Sequence, residues 1–200
     1  MSNLYIDTKL SSRIILHPTL MNNDIYTNIK EELVNKVEGK CVKNYGYVVT
    51  VYKIDEFKNG VISSNNFRGS AIFNVNYSCR LCKPLVDSTI IGKVEKINHH
   101  FIKVVNGPLI ILVTMNRLNN EKFFLDQKDN VRYKENDKNL TLKENDFVKV
   151  LIQTIRFNDR DIKIKSIGLL QDVATEKEKK NILFRTILYQ RRSSRRRRRR

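Results

Sequence analysis

Cys79 and Cys82, in the run Ser78-Cys79-Arg80-Leu81-Cys82-Lys83-Pro84, are the nearest this chain comes to a catalytic or metal-binding motif. Two thiols at that spacing can supply half of a zinc site, a dithiol redox couple, or two small buried apolar groups. Tetrahedral zinc needs four ligands, usually two such pairs on tight turns. Only Cys41 and the histidines His17, His99 and His100 remain to complete a set, and the two adjacent histidines diverge if they lie in a strand. A redox C-x-x-C normally opens a helix in a βαβ unit. Here it ends "AIFNVNYSCRLC", whose apolar-polar alternation predicts a strand, and residues three apart on a strand point to opposite faces. The pair therefore reads as structural, with no metal and no cofactor expected. The chain also lacks G-x-x-x-x-G-K, H-E-x-x-H and G-x-S-x-G, and its acidic residues are spread through loops and helix faces. No catalytic residue is assigned, and the sequence reads as that of a binding protein.

The elements that must position these residues fall into two groups. "LYIDTKLSSRIILHP" predicts a strand ending at His17-Pro18, because proline pushes its predecessor out of helical geometry. Asn22-Asn23-Asp24 supply cap-type side chains, and Ile25, Ile29, Leu33 and Val37 follow at four-residue spacing, one stripe of a helix that Gly39 closes. "CVKNYGYVVTVYKID" predicts a strand interrupted by Gly46, "EFKNGVISSNNFRGS" a loop, and "AIFNVNYSCRLC" a further strand. Strand, helix, strand, strand make a small α+β domain over residues 1–84.

After Pro84 the pattern changes. "STIIGKVEKI", "FIKVVN", "PLIILVT", "DFVKVLIQTIRF" and "DIKIKSIGLL" are five β-rich runs that predict an OB-type five-stranded barrel over residues 85–172. Residues 116–145 are mostly polar and read as a long insertion between the third and fourth barrel strands. Residues 173–200 read as a terminal helix, opened by a Thr175–Glu178 capping box with Ile182, Leu183, Ile187 and Leu188 on one face, then a disordered arginine tail.

Composition bounds the partners. The net charge is +17, and residues 173–200 hold twelve Lys or Arg against two Glu, so more than half of the excess lies in the last segment. Such a run suits a polyanion-binding arm, a nuclear address or an oddity of coding. No stretch of about 18 apolar residues is present, so no membrane partner is expected. The opening "MSNLYIDTKLSSR" lacks an apolar signal core, and three cysteines fit a reducing compartment.

Several blocks occur in a telling order: "LHP" (Leu16-His17-Pro18), "VEGKCVKNYGYVVTV" (Val37 to Val51), "GSAIFNVNY" (Gly69 to Tyr77), "KP" (Lys83-Pro84), then "IIGKV" and "NGPLIILV". The ordered set resembles the seventh-subunit family of RNA polymerase II, with its archaeal E-prime relatives, from the N-terminus to about Asp172. The resemblance implies a truncated RNP-like domain followed by an OB domain, with no catalysis. It implies a stalk that pairs with a fourth-subunit-like partner, docks on the polymerase core subunits beside the clamp, and offers its OB face to nascent single-stranded RNA. The family's docking tip maps to His17, Pro18, Thr19 and Leu20 and to Gly60, Val61, Ile62 and Gly69.

For RNA, the candidates by residue type are Lys93, Lys96, Phe101, Lys103, Arg156, Phe157, Arg160 and Lys163, combining rings for stacking with cations along the backbone. The chain departs from the family at Arg68 before the Gly-Ser-Ala block, at Asp87-Ser88 leading into the OB domain, and at His100 in the first OB hairpin. Two other classes stand beside the stalk reading: a free-standing OB-type RNA-binding factor, and a packaging protein driven by the arginine tail. The family places the protein in the nucleus. A polymerase encoded by a large DNA virus, which the Asn- and Lys-rich composition also suits, would place it in the cytoplasm or the virion.

Overall fold

The computed structural model describes residues 4–64, 66–126, 131–135 and 138–179. The protein is α+β, and its described residues divide into two compact units, one formed by residues 4–84 with Phe157–Ile164, the other by Leu85–Arg156 with residues 165–179.

In the first unit, β1 (Tyr5–Leu16), helix α1 (Ile25–Val37), β2 (Cys41–Val42), β3 (Gly46–Phe57) and β4 (Ala71–Cys82) follow one another. The strands form an antiparallel sheet in the order β1-β4-β3-β2. Alternation in β4 places Ala71, Phe73, Val75, Tyr77, Cys79 and Leu81 on one buried face, where the α1 stripe Ile29, Leu33 and Val37 meets them. Each such side chain taken fully from water contributes about 1.5–3 kcal/mol, so the four-residue spacing is what seats the helix. Asn22, rather than Asp24, organises the helix start: its Oδ1 accepts from the Asp24 N–H and from Asn28 Nδ2, both at 3.0 Å. After α1, the Gly39 N–H donates to Val48 O at 2.9 Å and ties the helix exit to β3. The segment expected as one interrupted strand is a hairpin instead, because Asn44 adopts φ 68° and the Tyr45 N–H returns to Val42 O at 3.1 Å.

The cysteines divide as strand alternation requires. Cys79 belongs to the core under α1, while Cys82 lies on the opposite face, in register with Tyr47, which is in turn in register with Cys41. All three thiols are buried, and burial raises Cys41 and Cys79 from the ordinary 9.0 to about 11 and Cys82 to about 12. The fold thus favours neutral thiols. The stability this contributes is full below pH about 9 and is lost as pH rises through about 11–12, where unfolded thiolates form and folded ones resist. We expect denaturation midpoints to fall over that window. A thiol reagent at pH ~8 should label the native chain only as fast as it unfolds. Labelling of all three thiols at the rate seen in denaturant would contradict the burial.

In the second unit, β5 (Thr89–Ile97), β6 (Phe101–Asn106), β7 (Leu109–Thr114), β11 (Phe147–Arg156) and β12 (Ile164–Val173) close a barrel in the order β5-β6-β7-β12-β11-β5. These are the five expected runs, and they fill the barrel with Val94, Ile102, Val104, Leu109, Ile111, Val113, Val148, Val150, Ile152 and Leu170. Gly168 sits where strands close on one another: a Cβ there would lie 2.4 Å from Val150 Cγ1 and 2.8 Å from Leu151 O.

The insertion is not a bare loop. It carries β8 (Phe123–Leu125), β9 (Val131–Glu135) and β10 (Lys138–Thr141) in an antiparallel sheet ordered β10-β9-β8. Buried Leu118, Phe123, Val131 and Leu142 hold it, and Leu118 bridges to Leu170 of β12. These strands hold only three to five residues each, too few for a hydrophobic period to show in the sequence. The chain ends its described part in the opening of a helix at Glu176–Lys179, and the rest of the expected terminal helix and the arginine tail lie outside the described residues. Among the described residues no helix is long and apolar enough to cross a membrane.

Candidate functional site

Two segments of the first unit meet at one end of its sheet. Pro18–Leu20 form a 3-10 turn whose cap is His17: the imidazole Nδ1 lies 3.0 Å from Thr19 Oγ1 and faces the Thr19 N–H. Proline fixes its own φ and suits the first position of such a turn. Across from it, the loop after β3 returns through a bridge in which Val61 and Ile72 exchange both backbone hydrogen bonds, at 2.9 and 3.0 Å. Asn66 then organises the approach to β4: its Nδ2 donates to Ser70 O at 2.7 Å, while its Oδ1 accepts from the Arg68 N–H at 3.2 Å. Gly69 adopts φ +67°, and a Cβ there would stand 3.4 Å from Pro18 Cγ. The left-handed conformation suits glycine, and the close approach joins the two turns. Gly60 is held more closely still, since a Cβ would fall 2.5 Å from the Phe73 ring.

The side chains at this end are apolar and uncovered. Register places Ile15 opposite Ile72, and Ile72 opposite Val61, so the three share the face turned away from α1. Ile15 is 62% exposed, Val61 64%, Ile62 57% and Phe67 99%. Leaving such surface in water forgoes the burial energy that drives folding, and clusters of this kind mark interaction sites. Sequence reasoning had named Val61 and Ile62 but missed Ile15 and Phe67. The signal for Ile15 was present in "RIIL": three apolar residues in a row on a strand cannot all face the core.

The eight nucleic-acid candidates are divided between the two compact units. On the outer surface of the barrel, Lys93 and Lys96 of β5 and Phe101 and Lys103 of β6 point away from the buried Val94, Ile102 and Val104. Lys96 stands opposite Lys103, whose Nζ is 2.7 Å from Glu95 Oε2, and Phe101 is half-buried opposite Thr114. The Asn98 N–H donates to Phe101 O at 3.0 Å and closes the turn with no residue at positive φ, so the turn accommodates His100. Asp87 does take φ 59°, a conformation that aspartate tolerates better than most residues.

Arg156 ends β11, but Phe157, Arg160 and Lys163 belong to the first compact unit. Their segment is tied to β2 through the backbone: the Arg160 N–H donates to Cys41 O at 2.8 Å, and the Cys41 N–H donates to Asp161 O at 2.7 Å. Asp159 Oδ1 also accepts from the Lys43 N–H at 3.2 Å.

Comparison with known proteins agrees with this architecture. Residues 11–65 match the family described as "SHS2 domain found in N terminus of Rpb7p/Rpc25p/MJ0397". That match runs from within β1, through the His17–Leu20 turn, to the loop carrying Val61 and Ile62. A protein of Acanthamoeba polyphaga mimivirus named as a DNA-directed RNA polymerase subunit is 38% identical over 179 residues, covering 90% of this chain and 88% of the relative. The DNA-directed RNA polymerase II subunit RPB7 of Saccharomyces cerevisiae is 29% identical over 143 residues, covering 70% of this chain and 82% of the relative. The Dictyostelium discoideum subunit of the same name is 23% identical over 159 residues, covering 80% of this chain and 91% of the relative. With that identity spanning both the sheet unit and the OB-type barrel, the chain belongs to the Rpb7 family of DNA-directed RNA polymerase subunits.

Proposed function

We propose that the protein is the stalk subunit of a multisubunit DNA-directed RNA polymerase. Its N-terminal unit docks on the core subunits through the end built from His17–Leu20, Gly60–Ile62 and Gly69. The observation that carries this reading is the uncovered apolar cluster of Ile15, Val61, Ile62 and Phe67 at that end. The subunit contributes no catalytic group. A fourth-subunit-like partner completes the stalk, and the outer β5–β6 surface receives single-stranded RNA. The similarity to the mimivirus protein supports a polymerase encoded by a large DNA virus, and so a place in the cytoplasm or the virion rather than in the nucleus. Affinity purification of the tagged protein from its native source tests the assignment. The two large polymerase subunits should be recovered with it. Recovery of ribosomal or RNA-processing proteins and no polymerase subunit would overturn it.

Two sources of nucleic-acid affinity should separate by salt. The arginines beyond Gln190 supply charge without shape, so binding through them is indifferent to sequence and falls steeply as salt rises. Phe101 adds stacking, worth about 1–3 kcal/mol per base, which survives added salt better. Truncation after Gln190 should remove most duplex-DNA binding while leaving weak binding of single-stranded RNA. Phe101→Ala with Lys103→Ala in the truncated protein should lower that remainder further. Fluorescence anisotropy at two salt concentrations measures both effects. If the truncated protein binds no RNA, the barrel is a spacer and any RNA contact rests on the arginines.

A further inference from the structure

β1 is an outer strand of the N-terminal sheet, and one of its edges has no strand beside it among the described residues. It pairs with β4 from Tyr5 to Leu16 without a bulge, and it contains no proline. The hydrogen-bond pattern shows which backbone groups face outward. The Lys83 N–H donates to Leu4 O at 3.0 Å, so the even-numbered residues turn their backbone toward β4. Asp7, Lys9, Ser11, Arg13 and Ile15 therefore aim their N–H and C=O groups away from the sheet. Lys36 Nζ donates to Arg13 O, which fits that direction, and so flexible a side chain can give way to a backbone donor. All five residues are exposed, as is Ile6.

A long free edge is a template for another strand, and proteins blunt such edges with charge, proline or a bulge. Here only charge is present, and its spacing cancels in one register. Let β1 meet β1 of a second copy antiparallel, with Leu10 opposite Leu10. Asp7 then falls opposite Arg13, Lys9 opposite Ser11 and Tyr5 opposite Ile15, each contact occurring twice by symmetry. These are the residues whose backbone groups face outward, so each pair can exchange two hydrogen bonds. On the other face Ile6 meets Ile14. The Tyr52 hydroxyl donates to Asp7 Oδ1 at 2.9 Å and holds that carboxylate on the face that Arg13 shares. Neighbouring registers are worse. Centring the pair on Lys9 sets that lysine against itself, and centring it on Ser11 sets Lys9 against Arg13. Like charges directly opposite are destabilising, whereas opposite charges and aromatic–β-branched pairs are favourable.

We propose that the outer edge of β1 pairs antiparallel with β1 of a second copy in the free protein, Asp7 opposite Arg13, joining two four-stranded sheets into one. Ile15 belongs also to the docking end, so the pairing describes the subunit before it joins a larger assembly.

Light scattering on the full chain should give the mass of two chains, falling to that of one on dilution. Ser11→Pro removes an outward N–H at a position where an edge strand tolerates proline. It should halve the mass while keeping the far-UV circular dichroism of the parent. Asp7→Cys in one chain, mixed with Arg13→Cys in another, should cross-link on mild oxidation, because the native thiols are buried and the register sets those positions opposite. Neither variant alone should cross-link, since each then faces an unsubstituted residue. A parent that is monomeric at every concentration, or a Ser11→Pro variant that stays dimeric, would overturn the proposal. So would equal cross-linking in the single variants, which would place any contact between copies elsewhere.

Discussion

Aspartate at both Ile62 and Phe67 should abolish recovery of the large polymerase subunits while leaving the thermal unfolding of the isolated protein unchanged. Both side chains are more than half exposed, so a charge there disturbs no packing in the free chain. In a docked complex each would place an unpaired carboxylate in a dry interface. Apolar anchors at interface centres cost about 2 kcal/mol or more when lost, roughly 30-fold in affinity, and the added charge increases that. Thr19→Ala at the same end is a milder comparison, since it removes no more than the hydroxyl beside His17 and one methyl group. If the double aspartate variant still brings down the large subunits at undiminished yield, the apolar end is not the docking surface.

Gly46→Ala carries the largest expected loss of stability. Gly46 adopts φ +131°, where side chains are strained, and a Cβ would lie 2.6 Å from Cys82 O, a backbone atom that cannot swing aside. Strained backbone costs about 1–3 kcal/mol and forced overpacking a similar amount, so the variant should lose about 3 kcal/mol or more. The glycine sits where β2 turns into β3, in register with Val42, so the damage falls on the β2–β3 pairing and the Cys41–Tyr47–Cys82 row. Chemical denaturation of the variant against the parent measures it. A change below about 1 kcal/mol, as for an ordinary surface Gly→Ala, would contradict the close approach.

What could be read from the sequence follows the physics of periodicity. Ile29, Leu33 and Val37 announce α1 because they recur at helical spacing over about two turns, and Phe73, Val75 and Tyr77 announce β4 by strict alternation. The barrel strands are legible for the same reason, each being a β-branched run of six residues or more. The inserted sheet was not, since β8 holds three residues and β10 four, too few for a period to show. The helix start was legible only as the run Asn22-Asn23-Asp24, because all three are good acceptors, and only the fold selects Asn22 among them.

The candidate site divides likewise. The His17-Pro18 turn and the glycines of the opposite loop were visible as turn chemistry. Phe67 was not, because one aromatic residue in a polar loop has no pattern, and its exposure emerges only from the Asn66-centred turn. The placing of Phe157, Arg160 and Lys163 was illegible for a different reason. It rests on backbone bonds between Arg160, Asp161 and Cys41, which leave no trace in residue type.

A photoreactive amino acid at position 67 in the assembled polymerase tests the central claim most directly, with the cross-linked peptides identified by mass spectrometry. The docking account predicts peptides from the core subunits. Attachment to solvent or to this chain alone, while the same probe at Lys93 on the barrel captures core subunits, would show that the molecule meets the polymerase by another surface.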